Sequence, residues 1–156
     1  MNILFVCTGN TCRSPMAEAL FKKELSTGSL SYSVEASSAG LSAFTGESIS
    51  AHTAELLREE GIDNFKNRRS VQLDRHQVRE ADLILVMTTD HLKQLLASFP
   101  AAGSKAFTLA EYTGALACSN IDDPVGQRIE IYRQVLEDIR TCIKNLMLKL
   151  KEGELK

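Results

Sequence analysis

Asn2–Leu20, NILFVCTGNTCRSPMAEAL, runs from a continuous apolar stretch through a polar loop into a segment carrying helical signals. Asn2–Val6 shows no alternation of apolar and polar residues, the pattern of a strand covered on both faces of a parallel sheet. Ser14 stands where a helix cap is expected and Pro15 at the first helical position. Met16 and Leu20, with Ala17, Phe21 and Leu25, give Ser14–Leu25 one apolar face. A strand that passes through a short loop into a helix is the unit of a doubly wound α/β fold, whose ligands sit at the carboxyl ends of strands.

The remaining chain repeats that alternation. Asp82–Met87 (DLILVM) is a second apolar run, and Tyr32–Ala36 and Lys105–Leu109 are weaker strand candidates. Helices are predicted over Ser48–Glu60, stopping at Gly61, and over Thr89–Ser98, where Leu92, Leu95 and Leu96 share a face. The longest begins near Gly126, with Ile129, Tyr132, Leu136, Ile139, Ile143, Leu146 and Leu150 at three- and four-residue steps, and reads as a core-packing stripe. The Lys/Glu-rich tail after Lys149 reads as a fraying helix end. Four parallel strands flanked by helices, in a single domain over residues 1–156 with flavodoxin-like topology, is the resulting expectation.

The 156 residues are 44% hydrophobic and 24% charged with a net charge of −2, a globular composition. No basic stripe is present, which argues against nucleic acid as a partner, and Arg68-Arg69 reads as solvated surface. No apolar run approaches the ~18 residues of a membrane span, and the N-terminus lacks an export signal. A cytoplasmic monomer with reduced thiols at Cys7, Cys12, Cys118 and Cys142 is expected.

The loop Cys7–Arg13 places five residues between a cysteine and an arginine, with Ser14 next. Main-chain N–H groups in a loop closing on a helix N-terminus form a concave anion site, strengthened by the positive end of the helix dipole. A phosphate suits it, and the same field favours a thiolate, hence a nucleophile, at Cys7. Arg13 offers a planar fork to two phosphoryl oxygens. Gly9 permits a tight or left-handed backbone, and Asn10 tolerates the left-handed region and braces the loop. Ser14 is placed to cap the helix and to hydrogen-bond the Cys7 sulfur. A Walker-type loop is disfavoured because Gly-Lys-Ser/Thr is missing, and a zinc site because Cys7 and Cys12 lack a second pair.

A nucleophile of this kind needs an acid for the leaving group and a base for the attacking water. His52, His76 and His91 read as surface residues. The turn NIDDPVGQ, Asn120–Gln127, is otherwise a simple loop before the last helix, but it mounts a carboxylate rigidly, and Asp123, fixed by Pro124, is preferred over Asp122.

VCTGNTCRSPMAEAL resembles the signature loop of low-molecular-weight protein-tyrosine-phosphatase-like enzymes, and DDPVG resembles their later Asp-Pro acid loop. SSAG (Ser37–Gly40) and ADLILVMT (Ala81–Thr88) also sit where that family has similar segments. The resemblance implies a phosphocysteine mechanism without metal or cofactor. Cys7 attacks phosphorus, the loop Thr8, Gly9, Asn10, Thr11, Cys12 and Ser14 together with Arg13 binds the phosphoryl group, and Asp123 serves as acid and then base. Cys12 matches a second loop cysteine that forms a reversible disulfide with the nucleophile, although packing against the helix is an equal reading of it. Thr11 replaces the bulky aliphatic residue of tyrosine-specific members and resembles the bacterial protein arginine phosphatase branch. A hydroxyl there suits a polar guanidinium. Val125 stands where many members carry an aromatic wall, a departure that weakens stacking on a phosphotyrosine ring. The expected activity is phosphoarginine hydrolysis in proteins, with phosphotyrosine hydrolysis as the alternative. From another class, a flavodoxin-like FMN-binding electron carrier shares the loop position but has no use for Cys7 and Arg13. The thioredoxin-coupled arsenate reductases share the loop yet need two further cysteines, absent from residues 82–100.

Overall fold

The computed structural model describes residues 1–28 and 30–153. Four parallel strands, β1 (Asn2–Cys7), β2 (Glu35–Gly40), β3 (Leu83–Val86) and β4 (Ala106–Thr108), lie in the order β2-β1-β3-β4. Between and after them run α1 (Arg13–Thr27), α2 (Ala51–Glu59), α3 (Arg75–Glu80), α4 (Thr89–Ser98), α5 (Leu109–Thr113) and α6 (Ile129–Glu152). The doubly wound parallel expectation holds.

Successive residues of β1 feed two separate cores, as its pleat requires. Ile3, Phe5 and Cys7 join the cluster built with α1, α2, α5 and α6, whereas Leu4 and Val6 join the one built with α3 and α4. The stripe on α6 is the backbone of the larger core: Tyr132, Leu136, Ile139, Ile143, Leu146 and Leu150 are all buried. Among the described residues, no helix is long and apolar enough to cross a membrane. The expected fraying tail lies in part on residues 154–156, outside the described residues, and α6 itself continues through Glu152.

Three local expectations need correction. The second strand is Glu35–Gly40, not Tyr32–Ala36. Its residues are small and polar because the strand carries part of the loop's support: a Cβ on Gly40 would lie 2.4 Å from the Thr8 carbonyl oxygen. Helix α1 starts at Arg13, with Cys12 in the cap position and no side-chain cap, so Ser14 is not the cap and Pro15 is the third helical residue. The Ser14 hydroxyl is committed elsewhere, as shown below. Helix α2 begins at Ala51 because Ser50 caps it, its side chain accepting from the Thr53 amide.

Candidate active site

The site forms where β1 ends and α1 begins. Cys7 closes the strand, and its Sγ lies 3.0 Å from Ser14 Oγ. That hydroxyl accepts from Asn10 Nδ2 at 2.8 Å, and its proton has two acceptors in reach, the sulfur and, at 3.5 Å, the Ala39 carbonyl. Of the two loop residues able to adopt the left-handed region, Asn10 does so, at φ 56°, and Gly9 does not. Asn10 can hold this φ because its side chain is fully employed. Its amide also donates to Ser38 Oγ at 2.9 Å, and its Oδ1 accepts from the Val71 amide at 2.9 Å. The loop's outer carbonyls are tied down as well, Cys7 by the Leu41 amide, Thr8 by the Ser42 amide and Thr11 by the Ser50 amide. With no side-chain cap and no acidic residue in its first turn, α1 leaves its N-terminal amides to whatever enters the loop.

Arg13 is 3% exposed, and both ends of its guanidinium are held. Nη1 donates to the Ile121 carbonyl at 3.1 Å, and Nη2 pairs with Asp123 Oδ2 at 3.1 Å. Asp123 is brought here, 110 residues from Arg13 in sequence, by a loop fastened to the end of β3, with the Ile121 amide donating to the Met87 carbonyl. Its Oδ1 accepts from the Val125 amide at 3.1 Å across the buried Pro124, an Asx turn that fixes the carboxylate. Asp122 is exposed.

An open cleft of about 340 Å³ stands over the loop, floored by Cys7, Gly9, Cys12 and Arg13. Thr8, Thr11, Glu47 and Asp123 also line it, and Phe44 and Val125 form an apolar rim that is 81% and 61% exposed. The structure therefore brings together every site residue expected from the sequence, with Asn10 and Ser14 supporting from behind. Cys12 lines the cleft and also belongs to the larger core, as its packing reading requires, with its Sγ 3.5 Å from Tyr132 Oη. Burial, followed by the Cys12 contact, pushes the Tyr132 phenol above its usual range.

Several functional neighbours were not anticipated. His91 is not a surface residue; it is 4% exposed, and its Nε2 lies 2.8 Å from Thr8 Oγ1. Burial, and then the nearby Arg13 charge, lowers its pKa to about 4, which keeps the ring neutral. Of the pair Arg68-Arg69, only the second is surface. Arg68 donates from Nε to Glu18 at 3.2 Å and from Nη2 to the Ser38 hydroxyl at 2.7 Å and carbonyl at 2.8 Å. Ser38 donates in turn to Glu18 at 2.6 Å, so a buried ion pair stands behind Asn10. The one signal for it in the sequence is Glu18, a charge set among the apolar residues of α1. The expected surface position of His76 holds, and His52 packs edge-on against Tyr132 at 5.0 Å.

The family model for low molecular weight phosphotyrosine protein phosphatases matches residues 2–155. The chain belongs to this phosphatase family. A relative from Bacillus subtilis named protein-arginine-phosphatase is 42% identical over 154 residues, covering 97% of this chain and 98% of its own. Another of the same name, from Geobacillus stearothermophilus, is 40% identical over 149 residues, covering 96% and 95%. Among solved structures, a C7S mutant of the YwlE arginine phosphatase with a phosphorylated active-site serine matches with a TM-score of 0.90 at 38% identity, each chain 97% covered.

Proposed function

We propose that this member of the phosphatase family is a cysteine-dependent protein phosphatase that hydrolyses phosphoarginine residues, with residues 1–156 as one catalytic domain. The observation that carries the substrate assignment is the wall of the cleft. Thr8, Thr11, Asp123 and Glu47 line it, so two hydroxyl-bearing and two carboxylate-bearing side chains surround the mouth of the loop. A phosphorylated guanidine has N–H donors that need acceptors, and these side chains supply them. The two relatives above carry the corresponding name, and the phosphorylated serine in the YwlE mutant fits a phosphoenzyme at the nucleophile's position.

In the first step the Cys7 thiolate attacks phosphorus in line, the S–P bond forms, and the P–N bond breaks as Asp123 delivers its proton to the departing nitrogen. Loop amides at the start of α1 and the Arg13 guanidinium neutralise the charge on the equatorial oxygens. Ser14, donating to the sulfur, steadies it as attacking and later as leaving group. In the second step Asp123 takes a proton from water, the oxygen attacks phosphorus, and the S–P bond breaks to return Cys7.

The test is a comparison of kcat/KM on matched phosphoarginine and phosphotyrosine peptides, repeated with Thr11→Ile and with Cys7→Ser as blank. Preference for phosphoarginine that falls in Thr11→Ile is expected. Predominant phosphotyrosine turnover by the unmutated protein overturns the substrate assignment, and turnover surviving in Cys7→Ser overturns the nucleophile.

A further inference from the structure

His91 is a buried polar side chain beside the loop that the mechanism above leaves without a task. It sits in the first turn of α4, where its own amide is taken by the Thr88 hydroxyl at 3.1 Å, so its backbone is fixed. Its ring reaches across to the phosphate loop, 83 residues earlier in the chain, and touches the only residue of that loop whose side chain is exposed on the cleft and hydrogen-bonded from behind, Thr8. The other ring nitrogen, Nδ1, is buried without a hydrogen-bond partner among the described residues. A leucine of similar size would fill this place without orphaning a polar atom, so the unfavourable arrangement points to a use for the Thr8 contact.

The orphan also fixes the direction of that contact. Burying a bare lone pair is less costly than burying an unmatched N–H, so the proton of the neutral ring belongs on Nε2, which donates to Thr8 Oγ1. Thr8 is then left with one lone pair and its own hydroxyl proton, both available on the cleft side. The lone pair suits a guanidine N–H, and the proton suits a phosphoryl oxygen.

We infer that Thr8 is a substrate-contacting specificity residue and that His91 is its positioning residue, holding the hydroxyl in one rotamer with a free acceptor toward the nitrogen-bearing leaving group. This rests on the phosphoarginine reading for the leaving group's identity; the coupling of Thr8 to His91 does not. An aliphatic side chain at either position removes the fixed acceptor, Thr8→Val by deleting the hydroxyl and His91→Leu by letting it rotate. His91→Gln retains an N–H near the place of Nε2.

The experiment is a double-mutant cycle on Thr8→Val and His91→Leu, with His91→Gln as the conservative variant. KM and kcat are measured on a phosphoarginine peptide, a phosphotyrosine peptide and p-nitrophenyl phosphate, after melting curves establish that each variant is folded. Each single substitution should lower the ratio of kcat/KM on phosphoarginine to that on the aryl phosphate about tenfold, the ratio one hydrogen bond to a charged group supplies. The double variant should be no worse than either single one, His91→Gln should stay near the unmutated ratio, and the loss should appear mainly in KM. Losses that multiply, an unchanged ratio, or a His91→Gln variant as damaged as His91→Leu would each overturn the pair. If His91→Leu does not fold, His91→Ala takes its place in the cycle, and an unchanged ratio in Thr8→Val, a substitution at an exposed residue, still overturns the pair. Phosphotyrosine preference in the unmutated protein would instead overturn the phosphoarginine reading, while the cycle run on phosphotyrosine still decides the coupling.

Discussion

Replacing His91 by leucine should make the fold less sensitive to mild acid. The folded-state pKa of about 4 lies below the ordinary histidine value of 6.5, so between those values the unfolded chain binds the proton and the native ring refuses it. The contribution is therefore fully present above about pH 6.5 and is lost as pH falls toward 4. With those two values, the linkage relation gives a loss of about 2 kcal/mol between pH 7 and pH 5 from this one group. The origin is structural: the ring is 4% exposed, Arg13 repels its protonated form, and the opposing pull of Asp123 and Asp90 is smaller. Urea unfolding at the two pH values, for the unmutated protein and for His91→Leu, measures it, with the m-value checked for constancy. The unmutated protein should lose about 2 kcal/mol more than the variant across that interval. Equal losses in the two proteins would refute the reasoning, because every other titrating group is common to both.

Arg68→Met should destabilise the protein by about 3 kcal/mol, since it strands Glu18, whose side chain is 6% exposed, and the double variant Arg68→Met/Glu18→Gln should recover part of that in the same unfolding assay. Lys22, 2.6 Å from Glu18 on the exposed side, is the partner that limits the loss. Gly40→Ala should damage the phosphate loop from behind: its new methyl would meet the Thr8 carbonyl at 2.4 Å and the Asn10 amide at 3.1 Å, both backbone atoms. Weaker inhibition by inorganic phosphate, by about tenfold or more, is expected together with a lower melting temperature, and unchanged phosphate inhibition would count against the loop's dependence on this contact. Asp123→Ala should slow turnover most for substrates with poor leaving groups, and a uniform loss across a series of aryl phosphates would remove it as the acid.

The parts of the fold that could be read in advance are those in which one physical rule dominates. The apolar run before Cys7 and the stripe from Ile129 to Leu150 owe their burial to local pattern, and both appear as expected. Strand β2 defied its pattern because Ser38 and Gly40 serve what they support, not what they bury. At the site, Cys7, Arg13 and Asp123 were legible because their chemistry requires those residue types beside a strand end and in a rigid turn. His91 and Arg68 were not. Their importance lies in partners 83 and 50 residues away, Thr8 and Glu18, and no spacing along the chain encodes such a meeting. Asn10 was legible as a residue that tolerates the left-handed region and braces the loop, but the three partners that hold it there, Ser14, Ser38 and the Val71 amide, were not.

Those same bonds have a consequence for selectivity. Because Asn10 is tethered to α1, to β2 and to the segment at Val71, the loop's curvature is set by the scaffold and owes nothing to its guest. A receptacle of fixed shape accepts any tetrahedral oxyanion of the right radius, so vanadate, arsenate and released phosphate should compete with every substrate at one inhibition constant each. Recognition of the phosphorylated residue is thereby delegated to the rim, where Phe44, Glu47 and Val125 line the cleft outside the loop. The molecule thus separates the part that must stay constant for the reaction to occur from the part that decides what the reaction is performed upon.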